Sequence, residues 1–304
     1  MKRITPKGIW HVLKCCFAGF SEHKVTKLSA SLAYYTIFSL APLMILIVFI
    51  SSFFFGKEAV EGSIYGQISG FVGQDAALQL QEIIKNAALQ GKGNIAAIVG
   101  GITLLIGATT IFAEIQDSIN SIWGLKPKPK QALLKMLMNR LLSFSLIVGL
   151  GFVALVSLVV NSLMDLLNGF LKQYFSQLTV AFFYVMNLVL TLAVVTLLFT
   201  IIFKVLPDAI IRWKDAFYGA VFTGLLFILG KFLIGLYLGN SNLGITYGAA
   251  ASMVVILTWV YYSSIILYFG AEFTEAYAQG YGGRIRPSDT AVFILKREVR
   301  ELED

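Results

Sequence analysis

Residues 178–203 read LTVAFFYVMNLVLTLAVVTLLFTIIF, a stretch that contains no charged side chain. A helix of about 20 apolar residues crosses the ~30 Å hydrocarbon layer of a bilayer. This stretch is long enough to do so, and nothing in it would stop a helix. It predicts a transmembrane helix, and it makes the whole chain a candidate membrane protein.

The composition of the full chain points the same way. Of its 304 residues, 57% are hydrophobic and only 13% are charged, whereas soluble domains carry about 25% charged residues. The apolar content also excludes intrinsic disorder. The two cysteines, Cys15 and Cys16, are adjacent and cannot form a disulfide framework for a chain of this size. A polytopic membrane protein is the class that remains.

Five further apolar runs have the length of a membrane span, which predicts an all-α fold with six transmembrane helices. We expect residues 1–280 to form a single membrane domain and residues 281–304 to form a cytoplasmic tail. The six predicted spans are Leu28–Phe55, Ile95–Ala113, Leu141–Leu163, Leu178–Phe203, Ala216–Leu238 and Ile245–Ala271.

The basic residues predict the orientation of these spans. With six spans, 19 Lys and Arg residues fall on the side of the two termini and four on the other side, leaving Lys231 inside the fifth span. Positively charged loops are retained in the cytoplasm, so both termini are predicted to be cytoplasmic in a bacterial plasma (inner) membrane. The net charge of +7 is explained by this asymmetry and by anionic lipid headgroups, without nucleic acid.

Three elements outside the spans are also expected. Residues 6–24 show apolar side chains at helical spacing and predict an interfacial helix on the inner leaflet. The outer loop from Gly56 to Asn94 predicts a short amphipathic helix. In the tail, Ser288 is a potential N-cap for a soluble helix.

Polar side chains within the spans are the candidates for function, because they are costly in hydrocarbon unless they are paired or hydrated. They form stripes at helical spacing on the first, second and sixth spans, and three facing stripes would line a cavity open to the cytoplasm. Lys231 adds a charge on the fifth span. The candidates for a substrate pathway are Ser31, Tyr35, Ser39, Thr110, Glu114, Asp117, Lys231, Tyr268, Glu272 and Glu275.

Simpler explanations exist for each of these residues. Small hydroxylated side chains commonly mediate helix packing in membranes. The four acids could be solvated at the membrane boundary or paired with Arg140, Arg212 or Lys214, although carboxylates near helix C-terminal ends are disfavoured by the helix dipole. Lys231 could extend its ammonium group towards the outer surface.

Four segments resemble the YihY/BrkB family of bacterial inner-membrane proteins. They are residues 31–43 (SLAYYTIFSLAPL), 111–124 (IFAEIQDSINSIWG), 206–220, and the pair YGAAA at 247–251 and GAE at 270–272. The resemblance implies a six-span plasma-membrane protein without a settled biochemical activity. Members have also carried a ribonuclease BN label. A metal-dependent nuclease needs clustered His and Asp ligands, but both histidines of this chain lie in the N-terminal segment. The residues therefore speak against a nuclease.

These observations favour a transporter or flippase for an amphiphile such as an anionic lipid or an envelope precursor. The alternative is a non-catalytic membrane scaffold that recruits partners at its basic cytoplasmic face. We expect no enzymatic activity, no cofactor and no metal. Membrane lipids are the expected partners; a homo-oligomer or an envelope protein partner stays open, as do the substrate and the coupling ion.

Overall fold

The computed structural model describes residues 6–39, 94–128, 177–239 and 246–294, which are mostly helical. A 3₁₀ turn at Gly248–Ala250 precedes the last helix. The helices are α1 (Pro6–Glu22), α2 (residues 25–39), α3 (Asn94–Ile122), α4 (Gln177–Val205), α5 (Trp213–Gly239) and α6 (Ala251–Gly280). The strands are β1 (Leu125–Pro127), β2 (Ala209–Ile210), β3 (Arg286–Pro287) and β4 (Ala291–Phe293).

Three of the described helices are long and apolar enough to cross a membrane. The qualifying segments are Leu188–Val205 in α4, Trp213–Tyr237 in α5 and Met253–Gly280 in α6. They coincide with the predicted fourth, fifth and sixth spans. The predicted third span, the external helix, the second half of the first span and the tail beyond residue 294 lie outside the described residues.

Two helices extend well beyond the spans predicted from hydropathy. The second span was expected to end at Ala113, but α3 continues to Ile122, and the sixth was expected to end at Ala271, but α6 continues to Gly280. The α3 extension buries Ile115, Ile119 and Ile122, which lie four and three residues apart on one helix face. Packing against protein therefore stabilises the α3 extension, which is too polar to be recognised as part of a span.

The C-terminal ends of α3, α4 and α6 and the start of α5 meet at one end of the bundle, where the strands also lie. β1 pairs with β4, and β2 pairs with β3, both antiparallel. An isolated two-stranded ribbon is marginally stable, so these short pairs depend on the helices around them. We call this region, formed by residues 123–128, 206–213 and 281–294, the sheet end.

Over residues 289–294, the part of the tail beyond Ser288 that the structure describes, the expected helix does not form. Residues 291–293 are instead strand β4, with Ala291 opposite Pro127 and Phe293 opposite Leu125. The backbone N–H of Ile294 also donates to the carbonyl of Gly124 at 2.8 Å. A short amphipathic segment forms few backbone hydrogen bonds of its own, and the exposed backbone of β1 supplies the missing partners. These residues therefore pair as a strand instead of forming a helix.

Helices α5 and α6 approach closely through a reciprocal arrangement of glycine and threonine. A Cβ on Gly219 would lie 2.9 Å from Thr274 Cβ, and one on Gly270 would lie 2.9 Å from Thr223 Cβ. The Thr223 and Thr274 hydroxyls donate to the carbonyls of Gly219 and Gly270 at 2.8 and 2.7 Å. Small residues at such positions let membrane helices gain van der Waals contact.

Helix α1 packs along the C-terminal part of α6. Its buried face carries Val12 and Cys16, and Phe17 meets Phe269 with ring centroids 5.1 Å apart. Its other side leaves Trp10 71% exposed. The helix predicted near the N-terminus is therefore present, with one face bound to the protein; its placement at the membrane surface stays a prediction.

Candidate functional site

The most unusual polar contact in the described residues joins α6 to the end of α1. His23 Nδ1 lies 2.7 Å from Glu272 Oε1, and the two side chains are only 16% and 4% exposed. Glu272 is one of the carboxylates predicted from the sequence to be functional. Its partner is a histidine that the sequence placed only in a basic N-terminal segment.

Two local features bring these side chains together. Gly19 leaves room for the carboxylate, since a Cβ there would lie 2.9 Å from Glu272 Cδ. At the turn between α1 and α2, Lys24 adopts a φ of 52°, in the left-handed region that non-glycine residues rarely enter. This turn ends α1 immediately before His23 and directs the imidazole towards α6.

Cys16 lies in the same pocket. It is fully buried, whereas its neighbour Cys15 is exposed. Burial, and then the negative charge of Glu272, raise the pKa of the Cys16 thiol to about 12. Cys16 is therefore an inert apolar wall of the site at neutral pH.

Next along α6, Glu275 accepts a hydrogen bond from Gln279 Nε2 at 2.8 Å.

The stripes predicted on the second and sixth spans meet at Tyr268. This side chain is 0% exposed, and both Glu114 and Asp117 are near enough to interact electrostatically with its hydroxyl. Glu272, one turn further along α6, pairs with His23 instead. The acids of α3 therefore lie near Tyr268, whereas Glu272 of α6 lies beside His23.

The remaining predicted residues have varied surroundings. Along α2, Ser39 is buried and Ser31 half-buried, but Tyr35 is 39% exposed, so the surroundings of this stripe change along the helix. Thr110 is half-buried. The Lys231 side chain is exposed on α5.

A second polar cluster holds α3 to the connection between α4 and α5. Asn120 Nδ2 donates to Asp208 Oδ2 at 2.9 Å, and the Asp208 backbone N–H donates back to Asn120 Oδ1 at 2.8 Å. Gln116 Nε2 also donates to Asp208 at 3.3 Å. Sequence reasoning missed this cluster, although Asn120 and Asp208 both lie within the quoted motif segments.

A third cluster fixes the segment that follows α6. The buried carboxylate of Asp215 accepts hydrogen bonds from Arg212 at 2.9 and 3.2 Å and from the backbone N–H of Gly283 at 2.8 Å. These bonds raise the pKa of the Arg212 guanidinium further above its ordinary value. Arg212 is therefore bound to Asp215, and the sequence-based suggestion that it neutralises an acid on α3 or α6 is not needed.

The described residues contain no group of three or more His, Cys, Asp or Glu side chains arranged to hold a metal ion. The chemistry that the His23 and Glu272 site can perform is proton binding and charge pairing.

Three of the motif segments, 111–124, 206–220 and 270–272, come together near the sheet end. Besides the Asn120–Asp208 contact, Trp123 Nε1 donates to the carbonyl of Ala271 at 3.1 Å. The profile of one protein family, described as Virulence factor BrkB, matches residues 16–292, which includes all of these segments. The chain belongs to the Virulence factor BrkB family.

Relatives of this BrkB-family chain are named UPF0761 membrane proteins. One from Alteromonas mediterranea is 26% identical over 257 residues, covering 83% of each chain. One from Saccharophagus degradans is 27% identical, covering 86% of this chain and 58% of its own length. One from Pseudomonas aeruginosa is 27% identical, covering 84% and 61%. This chain thus spans about three fifths of the last two. No solved structure matches it.

Proposed function

We propose that this BrkB-family chain is a membrane transporter, and specifically a flippase for an amphiphile such as an anionic lipid or an envelope precursor. The observation that carries the proposal is the buried Glu272–His23 pair between the last membrane helix and α1. Burying two ionisable groups costs several kcal/mol per charge, and their attraction offsets this only in favourable geometry. An ionisable residue retained within a membrane helix is a default candidate for an ion or substrate pathway.

The surroundings of the pair support an amphiphilic substrate. Helix α1 leaves Phe17 66% exposed near the site, and Ile9 and Trp10 are 46% and 71% exposed towards the start of the same helix. Trp213, at the start of α5, is 60% exposed at the sheet end. Exposed aromatic and aliphatic side chains next to a charged pocket are suited to a molecule with an apolar tail and a polar head.

Charge at the sheet end supports an anionic headgroup and a cytoplasmic orientation. Described basic side chains near this end are exposed, and cytoplasmic loops retain such residues. Each exposed Lys or Arg near a membrane attracts anionic lipid by about 1 kcal/mol. The residues concerned, leaving out Arg212 because it is paired with Asp215, are Lys14, Lys24, Lys27, Lys126, Lys128, Lys214, Arg284 and Arg286.

The proposal is tested with purified wild-type protein in lipid vesicles that contain a fluorescent anionic lipid or its zwitterionic counterpart. Dithionite destroys fluorescence in the outer leaflet only, so lipid that moves outward becomes quenched. We expect faster quenching with protein present, and a larger effect for the anionic lipid. Quenching no faster than in protein-free vesicles, for both these lipids and an anionic envelope precursor, would refute the proposal.

The exposed basic surface also supports a second candidate, a scaffold that binds acidic partners at the sheet end. The two candidates differ in which substitutions matter. Glu substitution of Lys126 and Lys128, two exposed lysines of the sheet end, would abolish partner binding by a scaffold. In a flippase it would only lower apparent affinity for anionic lipid, whereas loss of the Glu272 charge would stop movement.

A further inference from the structure

The ribbon formed by β1 and β4 has an inner and an outer face, because side chains alternate between the two faces of a strand. Leu125 and Ala291 are buried, so the face that carries them packs against the protein. The pairing continues one residue beyond each strand, since the backbone N–H groups of Lys128 and Ile294 donate across the ribbon at 2.9 and 2.8 Å. The outer face of the ribbon therefore consists of side chains that are all exposed: Lys126, Lys128, Val292 and Ile294.

This outer face places two apolar side chains beside two basic ones. Val292 and Ile294 are each 43% exposed, and Lys126 lies directly opposite Val292. The ammonium group of Lys128 donates to the carbonyl of Asp289 at 2.6 Å, which holds this lysine on the ribbon. Exposed apolar side chains on a short strand are a site of association with other molecules. The outer face therefore suits a partner that is apolar and carries negative charge.

The position of the ribbon relative to the membrane helices indicates what this partner is. The candidate spans of α4 and α6 end at Val205 and Gly280, and that of α5 begins at Trp213, so all three have one terminus at the sheet end. Trp213 and Ile210 are also exposed there. Tryptophan is enriched at membrane–water interfaces. The sheet end therefore lies at the depth of the lipid headgroups.

Charge at the sheet end is strongly asymmetric. Apart from Arg212, which is paired with Asp215, its exposed charged side chains are four basic residues and one acid, Asp289. Basic residues beside a membrane are attracted to anionic lipids. Apolar and basic side chains together are typical of elements that lie in the headgroup region. The four basic residues are Lys126, Lys128, Arg284 and Arg286.

We propose that the outer face of the ribbon binds the membrane surface, with Val292 and Ile294 inserted among the headgroups of an anionic leaflet and the two lysines bound to lipid phosphates. A leaflet suits this face better than an acidic protein does, because the membrane helices hold the sheet end beside lipid at high effective concentration. A flippase and a scaffold would both use such a surface, so the proposal does not rest on transport.

The test measures the depth of the outer face in the full chain. The background is Cys15→Ala, in which the remaining cysteine, Cys16, is buried. A bimane label is attached to Val292→Cys or to Ile294→Cys, and the protein is placed in vesicles of phosphatidylglycerol or of phosphatidylcholine. Doxyl-labelled lipid quenches a label within the leaflet, whereas acrylamide on both sides of the membrane quenches a label in water. The background without an added cysteine measures any labelling of Cys16.

In phosphatidylglycerol vesicles we expect doxyl lipid to quench both labels, and acrylamide to quench them about threefold less than it quenches free bimane-cysteine, because interfacial elements bury their apolar face. In phosphatidylcholine the doxyl quenching should be weaker. Adding Lys126→Glu and Lys128→Glu together should lower the doxyl quenching by about half in phosphatidylglycerol. Lys14→Glu with Lys27→Glu, the same charge change at exposed residues outside the sheet end, should not.

Two results would overturn the proposal. If acrylamide quenches both labels as strongly as free bimane-cysteine and doxyl lipid does not quench them, the outer face is in water and is left to an acidic protein partner. If doxyl quenching is equal in the two lipids and is retained by the double Glu variant, anionic lipid is not what this face binds. Insertion of the labels without lipid movement would support this surface and reject the flippase alone.

Discussion

His23 and Glu272 are 249 residues apart in the chain, yet Nδ1 of one lies 2.7 Å from Oε1 of the other. This contact joins the N-terminal helix to the last membrane helix. It encloses Cys16, which is 0% exposed, and it requires a glycine at position 19. The pocket is therefore built from both ends of the chain, and disturbing one wall should affect the others.

Gly19→Ala should weaken the docking of α1. The new Cβ would lie 2.9 Å from Glu272 Cδ, so the carboxylate must move away from His23. We expect a loss of about 1–3 kcal/mol in stability, the usual cost of overpacking, seen as a lower Tm in detergent. Gly280→Ala is the matched control, because a Cβ at Gly280 meets nothing within 4 Å. Equal Tm values for the two variants would show that the close approach of Gly19 and Glu272 does not matter for stability.

Cys15 and Cys16 should differ sharply in alkylation. The reactive form is the thiolate, and because the pKa of Cys16 is raised to about 12, Cys16 stays protonated throughout pH 7–9. We expect maleimide to modify the exposed Cys15 only, as measured by intact mass on Cys15→Ala and Cys16→Ala variants. Labelling of Cys16 should appear when Gly19→Ala loosens α1. Rapid labelling of Cys16 in otherwise wild-type protein would contradict the described packing of α1.

Gly219→Ala should destabilise the contact between α5 and α6. A Cβ there would lie 2.9 Å from Thr274 Cβ, where no real side chain sits comfortably. We expect a loss of about 2 kcal/mol, partly restored by adding Thr274→Ala. Gly235→Ala on the same helix meets nothing within 4 Å, so it should leave the Tm unchanged or slightly higher. A neutral Gly219→Ala would mean that these helices do not pack as described.

Asn120→Ala should be more damaging than substitutions beside it. The change removes the hydrogen bond from Asn120 Nδ2 to the Asp208 carboxylate and the acceptor of the Asp208 backbone N–H. Losing these buried hydrogen bonds costs about 1–3 kcal/mol. Ser121→Ala, at the exposed next position of α3, is the control. Thermal unfolding of the two variants side by side measures the difference, and similar Tm values would rule out a structural role for the cluster.

Hydropathy predicts the membrane helices where contact with lipid determines the sequence. It fails where packing against other parts of the protein determines the sequence. The apolar runs correspond to α4 and α5 within a few residues. The polar ends of α3 and α6 fell outside the predicted spans, although their acids were predicted to continue the same helical faces, because hydropathy does not include the contacts that stabilise these ends. The tail was predicted as a helix for a similar reason, since its pairing partner Leu125–Pro127 is far away in the sequence.

The candidate site was predictable by residue type but not by partner. A carboxylate at position 272 stands out because charge is rare in such a helix. His23 carries no comparable signal, and its contact depends on the docking of α1 and on the turn at Lys24. In the sequence, Asn120 and Asp208 look like ordinary helix-end and loop residues. Only the fold reveals that they form hydrogen bonds with each other.

The central claim is that lipid movement requires the charge of Glu272. Movement of a labelled anionic lipid in vesicles tests this claim most directly. Glu272→Gln keeps the shape of the side chain and a hydrogen-bond acceptor for His23, but it removes the charge. Asp289→Asn, at an exposed acidic residue of the sheet end, makes the same chemical change elsewhere. We expect Glu272→Gln to fold, as judged by an unchanged elution profile, and to reduce lipid movement at least tenfold, while Asp289→Asn matches the wild type. Wild-type rates of lipid movement in Glu272→Gln would contradict the claim and leave the Glu272–His23 pair as a structural contact.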